Sequence, residues 1–270
     1  MIGNERAIRE AVELLKPARQ NPPQVLHELP LSCRPTCVDD AMRIQAELNR
    51  HLANDGLGEI IGTKIGCTTP VMQDYLGMEH PCAGGIFSST LHFGTGQFDH
   101  SRFLHVGVEC EIAVRLGRSI LAREAPHDLS SVQRCIRSIH AAIEIVDDRY
   151  FDFEAGIPGW QTWVADNFFG AGAVLGPPIP QWHRIPLESV RGVMRINGKP
   201  VGSGYGREII DGHPLAALVW LANEESRAGR DLRENWIVLL GSVVRTHWVD
   251  RGDEIHVELS ELGEAHAVFG

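Results

Sequence analysis

Three carboxylates of this chain sit in apolar company. In HVGVECEIAVRLG, residues 105–117, strand alternation sends Val106, Val108, Cys110, Ile112 and Val114 to one face, and Gly107, Glu109, Glu111 and Ala113 to the other. The first face suits a core. The second holds two carboxylates side by side between residues with almost no side chain. Residues two apart on a strand have Cα atoms roughly 6.5–7 Å apart. Ionised carboxylates held there repel, and burying them is costly unless something positive sits between them. A second apolar run repeats the anomaly: in AAIEIVDDR, Glu144 interrupts Ala142, Ile143, Ile145 and Val146. Three carboxylates on strand-like segments offer the oxygen ligands that Mg2+ or Mn2+ takes, with positions left for water or substrate. Glu-x-Glu is also common on a solvated strand face, so spacing alone leaves both readings open.

Lys64 supplies a positive charge. In IIGTKIG it shares a strand face with Gly62 and Gly66, which would leave room for a ligand beside its ammonium group. An edge lysine on a surface strand is the plainer alternative. The GSGYGRE stretch beginning at Gly202 is not G-x-G-x-x-G and follows a hairpin signal rather than a strand-to-helix turn, which argues against dinucleotide binding. Cys33 and Cys37 in CRPTC lack a second Cys/His pair at zinc spacing and read as ordinary thiols.

The elements that must position these groups can be outlined. Ile8, Val12 and Leu15 form the apolar stripe of a first helix that Asn4 can cap and Pro17 stops. Residues 17–35 are Pro-rich and irregular, and a second helix follows Thr36 with Ala41, Ile44, Leu48 and Leu52 on one face. From about residue 58 the character changes to β-like runs between glycine turns: EIIGTKIG, the 105–117 run, AAIEIVDD, GAVLG, GVMRI and WIVLLGSVV. Asn197-Gly198 predicts a two-residue hairpin turn. One further helix is expected over 214–229, with Leu215, Leu218, Val219 and Ala222 on one face. The expectation is an α+β protein with a helical N-terminal segment, residues 1–57, on a strand-rich catalytic domain, residues 58–270.

Composition narrows the partners. The 270 residues are 43% hydrophobic and 22% charged, ordinary for a globular chain, and the formal net charge of -10 leaves no basic patch for nucleic acid or an anionic membrane. An anionic substrate would need a local lysine or metal. The opening MIGNERAIREAVELL lacks the pattern of a secretory signal, and no run approaches the roughly 18 apolar residues of a membrane span. Six scattered cysteines make no disulfide framework. A cytoplasmic protein is expected.

Taken in order, TCVDDAMRIQ, GTKIGCTTPVMQDYLGMEHPCAGGIF, VECEIAVRLG, AAIEIVDDR, VADN, GHPLAALVWLAN, LLGSV and LGEAHAVF resemble the hydratase and decarboxylase branch of the fumarylacetoacetate hydrolase superfamily over nearly the whole chain. The resemblance implies a mixed β-roll or sandwich with flanking helices, assembled into homo-oligomers. It implies that Glu109, Glu111 and Glu144 bind Mg2+ or Mn2+ and that Lys64 lies in the active site. It also places Glu79 where an acidic residue is proposed to move protons, and Asp166 and Asn167 near the substrate. The departures are Phe168 and Phe169, where small residues usually follow Asp-Asn, Cys82 in place of an acidic residue, and Leu240 in place of a small hydroxyl residue. Phe169 and Leu240 are accordingly read as substrate-pocket residues, and the pocket beyond the metal as rebuilt towards apolar.

The activity so implied is Mg-dependent hydration of a 2-hydroxy-2,4-dienoate to a 4-hydroxy-2-oxo acid, as in meta-cleavage-type aromatic catabolism. The metal would act as a Lewis acid beside the 2-oxo group, Lys64 would hold the carboxylate, and Glu79 would move protons. Decarboxylation of a 2-oxo-3-enedioate is the first alternative. Acylpyruvate-type hydrolysis is another, with His92, His100 and His105 as candidate bases. A non-enzymatic alternative, an oxo-acid-binding protein or a partner of a pathway decarboxylase or aldolase, has the bulk of Phe168-Phe169 in its favour.

Overall fold

The computed structural model describes residues 5–270, so the capping role read for Asn4 lies outside the described residues. Helix α1 (Glu5–Leu15) buries Ile8, Val12 and Leu15, and Pro17 enters a short 3-10 turn that ends it. Helix α2 (Val38–Leu52) buries Ala41, Ile44, Leu48 and Leu52, the stripe read from the sequence. The chain then runs through β1 (Ile60–Gly66), α3 (Pro70–Leu76), β2 (Cys82–Phe87), β3 (Leu91–Phe93), β4 (Thr95–Phe98), β5 (Val106–Leu116), α4 (Leu129–Gln133) and β6 (Ile136–Asp147). It continues with α5 (Trp160–Ala165), β7 (Gly170–Leu175), β8 (Arg191–Ile196), β9 (Lys199–Tyr205), α6 (Pro214–Arg227), β10 (Ile237–Trp248), β11 (Glu254–Leu259) and β12 (Gly263–Phe269).

These strands form two mixed sheets: seven strands in the order β2-β1-β10-β5-β6-β7-β3 and five in the order β4-β12-β11-β8-β9. The apolar face of β5 is the reason they stack. Val108, Cys110 and Ile112 share one core with Val257, Ala265 and Ala267 of the smaller sheet, which buries both inner faces as a sandwich requires. Helix α6 closes that core with Leu215, Leu218, Leu221 and Ala222. At the β8–β9 turn Asn197 and Gly198 both have positive φ, 51° and 75°, as a two-residue hairpin of opposite hand needs.

The other face of the large sheet carries Glu109, Glu111 and Glu144. On the same side, α1 and α2 share a second core with Cys82, Trp163, Phe168 and Phe169, and α2 packs on α5. The periodicity did not foretell α3 and α5, which at seven and six residues are too short to repeat a stripe. No helix among the described residues is long and apolar enough to cross a membrane.

Candidate active site

Strands β5 and β6 pair antiparallel with Glu109 directly opposite Glu144, a register that is destabilising for like charges left to themselves. Glu111 follows on the same face, opposite Ser242 of β10. One carboxylate oxygen from each of Glu109, Glu111 and Glu144 lies within 4.8 Å of the others, and Glu111 and Glu144 are only 0% and 1% exposed. Burial, with the charge of Glu144 adding to it, raises the Glu109 carboxyl to about 7 even though Lys64 and a hydrogen bond donated by Thr246 Oγ1 act in the other direction. Burial also drives Glu111 well above the usual carboxylate range, with Glu144 and Glu109 adding to it, although the Gly241 N–H donates to its Oε2 at 2.8 Å. Lys64 Nζ stands 2.8 Å from Glu144 Oε1. Burial disfavours its charge, but the field of Glu144, Cys82 and Glu109 outweighs that and the ammonium is held above its ordinary value.

The donor set fits a hard divalent cation. One ammonium faces three carboxylates, and both Glu111 Oε1 and Glu144 Oε2 are buried without any hydrogen bond to accept. Buried oxygens so left cost free energy unless a cation takes them, and an all-oxygen set suits Mg2+, Mn2+ or Ca2+ rather than zinc. A second group, His256, Glu264 and His266 on the outer face of the small sheet, fails the same test. Glu264 Oε2 already meets His256 Nε2 at 2.9 Å, and Glu264 Oε1 lies 3.5 Å from His266 Nε2.

The raised carboxylates give a pH signature. A carboxyl that titrates near 7 folded and near 4.5 unfolded binds more protons in the native state over that interval, so without a cation stability falls as pH rises from about 4.5 to 7. Saturating Mg2+, if taken up by these carboxylates, would compete with those protons and reverse the loss. The gain in Tm from Mg2+ over EDTA should therefore be several degrees larger at pH 7.5 than at pH 5, measured by thermal melts in matched ionic strength.

Glycines set the spacing around this cluster. Gly241 has φ +106°, and a Cβ on it would meet Thr68 Oγ1 at 2.0 Å. The glycine of LLGSV thus lets the β10 backbone turn its N–H onto Glu111. Gly107 faces the Trp248 ring, which a Cβ would approach to 2.8 Å, and Gly66 faces the Phe168 ring at 2.4 Å from a would-be Cβ. That last contact corrects the expectation that Gly66 leaves room for a ligand. The space is taken by Phe168, whose ring face lies 4.9 Å from Lys64 Nζ as a cation–π partner.

Beyond Lys64 and Glu109 opens a cavity of about 1050 Å³, whose walls include Cys67, Thr68, α3, Asp148, Phe153, Phe168, Phe169 and Trp248. Phe168 and Phe169 form part of one wall and do not fill it, which removes the support for a blocked pocket. Phe169 lines the cavity as expected, packed edge-on against Tyr150 and Phe153. Of the three histidines, His105 alone lines it, stacked on Trp248 at 4.0 Å between centroids with Nδ1 3.5 Å from Asp148 Oδ2. His92 packs against Phe98, and His100 hydrogen-bonds the Val249 carbonyl.

Four expected positions fall elsewhere. Leu240 is fully buried in the inter-sheet core because alternation along β10 turns it away from Glu111; the residues after it, Gly241 and Ser242, line the cavity instead. Glu79 is exposed in the loop after α3 and is no part of the cavity wall. Glu79→Gln should therefore leave kcat/KM within about threefold of wild type, as expected of a surface substitution, a comparison that steady-state assay settles directly. Asp166 is 0% exposed and committed to two arginines, Arg19 Nε at 2.8 Å and Arg149 Nε at 3.5 Å. Asn167 clamps the β2 backbone: its Oδ1 accepts from Gly85 N at 2.6 Å and its Nδ2 donates to Gly85 O at 2.9 Å. Asp166 and Asn167 thus shape the site from behind and present no polar atom to the cavity.

Those commitments explain an unusual backbone. Asn167, Phe168 and Phe169 are consecutive residues at φ 61°, 42° and 60°, a left-handed run that costs roughly 1–3 kcal/mol per bulky residue. The Gly85 clamp and the Asp166 ion pairs hold it, and the result is the ring face presented to Lys64. Sequence reasoning missed Arg19, Thr246 and Trp248, which meet their partners across more than 100 residues, and Arg149, which meets Asp166 from a different segment 17 residues away; no local spacing signals such a pairing.

Residues 96–269 match the family model described as fumarylacetoacetate (FAA) hydrolase C-terminal. The chain belongs to the fumarylacetoacetate hydrolase family. Similarity to other members of this family extends over most of the sequence. The 2-keto-4-pentenoate hydratase of Paraburkholderia xenovorans (strain LB400) is 31% identical over 233 residues, 86% of this chain and 84% of that one. The 4-oxalocrotonate decarboxylase of Pseudomonas putida is 28% identical over 230 residues, 85% and 84% of the two chains. Among solved structures, 4-oxalocrotonate decarboxylase from Pseudomonas putida G7, complexed with calcium and acetate, superposes with a TM-score of 0.86 at 24% identity over 99% of this chain and 98% of that one. The fumarylacetoacetate hydrolase fold is thus shared over nearly the whole molecule.

Proposed function

We propose that this protein is a lyase that hydrates a 2-hydroxy-2,4-dienoate to a 4-hydroxy-2-oxo acid with Mg2+ or Mn2+ as cofactor. The observation that carries this reading is the convergence of Glu109, Glu111, Glu144 and Lys64 in one cluster, of which Lys64 and Glu109 open onto the cavity. A divalent cation held by the three carboxylates would supply Lewis-acid polarisation of the 2-oxo oxygen. Lys64 has three N–H donors and uses one direction for Glu144, so others remain for the substrate carboxylate in a charge-assisted bond. Phe168 beneath it and the buried strand around it exclude water, which strengthens that attraction. Glu109 is the carboxylate that reaches the cavity wall, fixed in orientation by Thr246. Homologues that bear the name hydratase support the reaction class.

The outer cavity favours hydration over decarboxylation of a diacid. A 2-oxo-3-enedioate needs a cation to meet its distal carboxylate. Besides Lys64 and Glu109, the cavity is lined by four carboxylates, Asp148, Asp152, Glu154 and Glu208, and by one guanidinium, Arg245. The deciding experiment follows the ultraviolet absorbance of freshly made 2-hydroxypenta-2,4-dienoate with the protein and Mg2+, against the same mixture with EDTA. Metal-dependent loss of the dienol band with 4-hydroxy-2-oxopentanoate as product supports the proposal. Release of CO2 from a 2-oxo-3-enedioate, with the dienoate left untouched, selects the decarboxylase.

A further inference from the structure

The cavity is far larger than a five-carbon acid. At about 1050 Å³ it stands at the upper end of sites that enclose drug-sized ligands. Its length can be gauged beside β5, one face of which carries Gly107 and Glu109, with His105 one residue before the strand begins. Both Glu109 and His105 line the cavity, and four residues of extended chain set them up to about 13 Å apart. A five-carbon chain anchored by its carboxylate at Lys64 ends well short of His105.

The outer half has a definite character. Trp248 lies over Gly107, the one residue between Glu109 and His105 whose missing side chain admits the indole, and stacks on His105. The same cavity is lined by Tyr75 and Phe153, in edge contact at 6.1 Å, and by Phe151. Tyr75 and Phe151 are 58% and 57% exposed, apolar surface that a protein rarely leaves at a cavity mouth without a use. Apart from Lys64 and Glu109, the charged groups lining the cavity are the four carboxylates already named and Arg245, a balance that disfavours a second anionic group.

We propose that the physiological substrate carries a bulky, uncharged apolar group, aryl or long alkyl, at the end remote from its carboxylate, seated between Trp248 and the Tyr75–Phe153 wall. This deepens, and rests on, the reading of the inner site as one that anchors a 2-oxo acid. Binding the tail would also turn remote contact area into orientation of the reacting carbons at the inner end.

The test uses the Mg2+-loaded protein and saturated 2-oxo acids that cannot react, so that it stands apart from turnover. Calorimetry compares pyruvate, 2-oxohexanoate and 6-phenyl-2-oxohexanoate, with 2-oxoadipate as the charged control. Affinity should rise at least tenfold from pyruvate to the phenyl acid, as burial of an aryl group allows, and 2-oxoadipate should bind more weakly than 2-oxohexanoate. Trp248→Ala should cut the phenyl acid's advantage about tenfold. A flat or falling series overturns the proposal and leaves the aromatic rim as a contact for another copy of the chain. A preference for 2-oxoadipate overturns it in favour of a diacid. Loss of all Mg2+-dependent binding overturns both this proposal and the anchoring role of the inner site. If the tail preference holds but no dienoate of any size is hydrated, the hydratase reading alone fails.

Discussion

The double substitution Glu109→Gln, Glu111→Gln should abolish Mg2+ binding and lower kcat/KM by on the order of 10³-fold or more, with the fold intact. Lewis-acid stabilisation is worth several kcal/mol, and each 1.36 kcal/mol is a factor of ten in rate. Glutamine keeps the shape but lacks the charge that a hard cation requires. The substitution should also relieve the protein of a burden. Burial and mutual repulsion raise both carboxyls, so the EDTA-treated variant should melt at or above the wild-type temperature at neutral pH. Calorimetric Mg2+ titration and thermal melts with and without EDTA check both halves. Full activity in the double variant would sink the assignment of these residues as ligands.

Asp166→Ala should have the largest effect on stability, about 3–5 kcal/mol, the cost of leaving buried charge without its partner. Two guanidiniums, Arg19 and Arg149, are balanced by Asp166 and Asp147. Arg19 also donates to the Gly170 carbonyl at 2.7 Å, and Arg149 donates to that same carbonyl at 3.0 Å. Removing one carboxylate leaves two fixed cations facing the other. In a chain of this size each kcal/mol moves Tm by roughly 2–4 °C, so a fall of about 10 °C is expected in a thermal melt. The contrast with a substrate-binding role is sharp: a residue that touches substrate would raise KM at unchanged Tm, whereas here Tm falls first.

How far the sequence reached depends on the range of the interaction. The β5 face, the α2 stripe and the Asn-Gly turn were legible because alternation, helical spacing and turn chemistry are local rules, and each acts within a few residues. The convergence of Glu109 with Glu144 was legible in outline because both interrupt apolar runs, but their direct pairing depends on the register of β5 against β6. Leu240 was misplaced for a related reason. Its neighbour Gly241 belongs to the site, and one step along a strand reverses the side chain's face. Asp166 and Asn167 were expected at the substrate because of the resemblance. Their partners, Arg19 and Gly85 from distant segments and Arg149 from beyond the end of β6, could not have been joined to them by any spacing rule. Glu79 stands on a loop, where sequence position says little about direction.

Arg19 has a consequence for how this molecule can change over time. The three clustered glutamates fall within residues 96–269, the stretch that matches the family model. Lys64, the α3 wall and the arginine that steadies Asp166 all come from before it. Buried ion pairs, Arg19 with Asp166 and Lys64 with Glu144, thus join the two stretches. They cannot vary independently: a lineage that alters one must keep the charge it offers to the other.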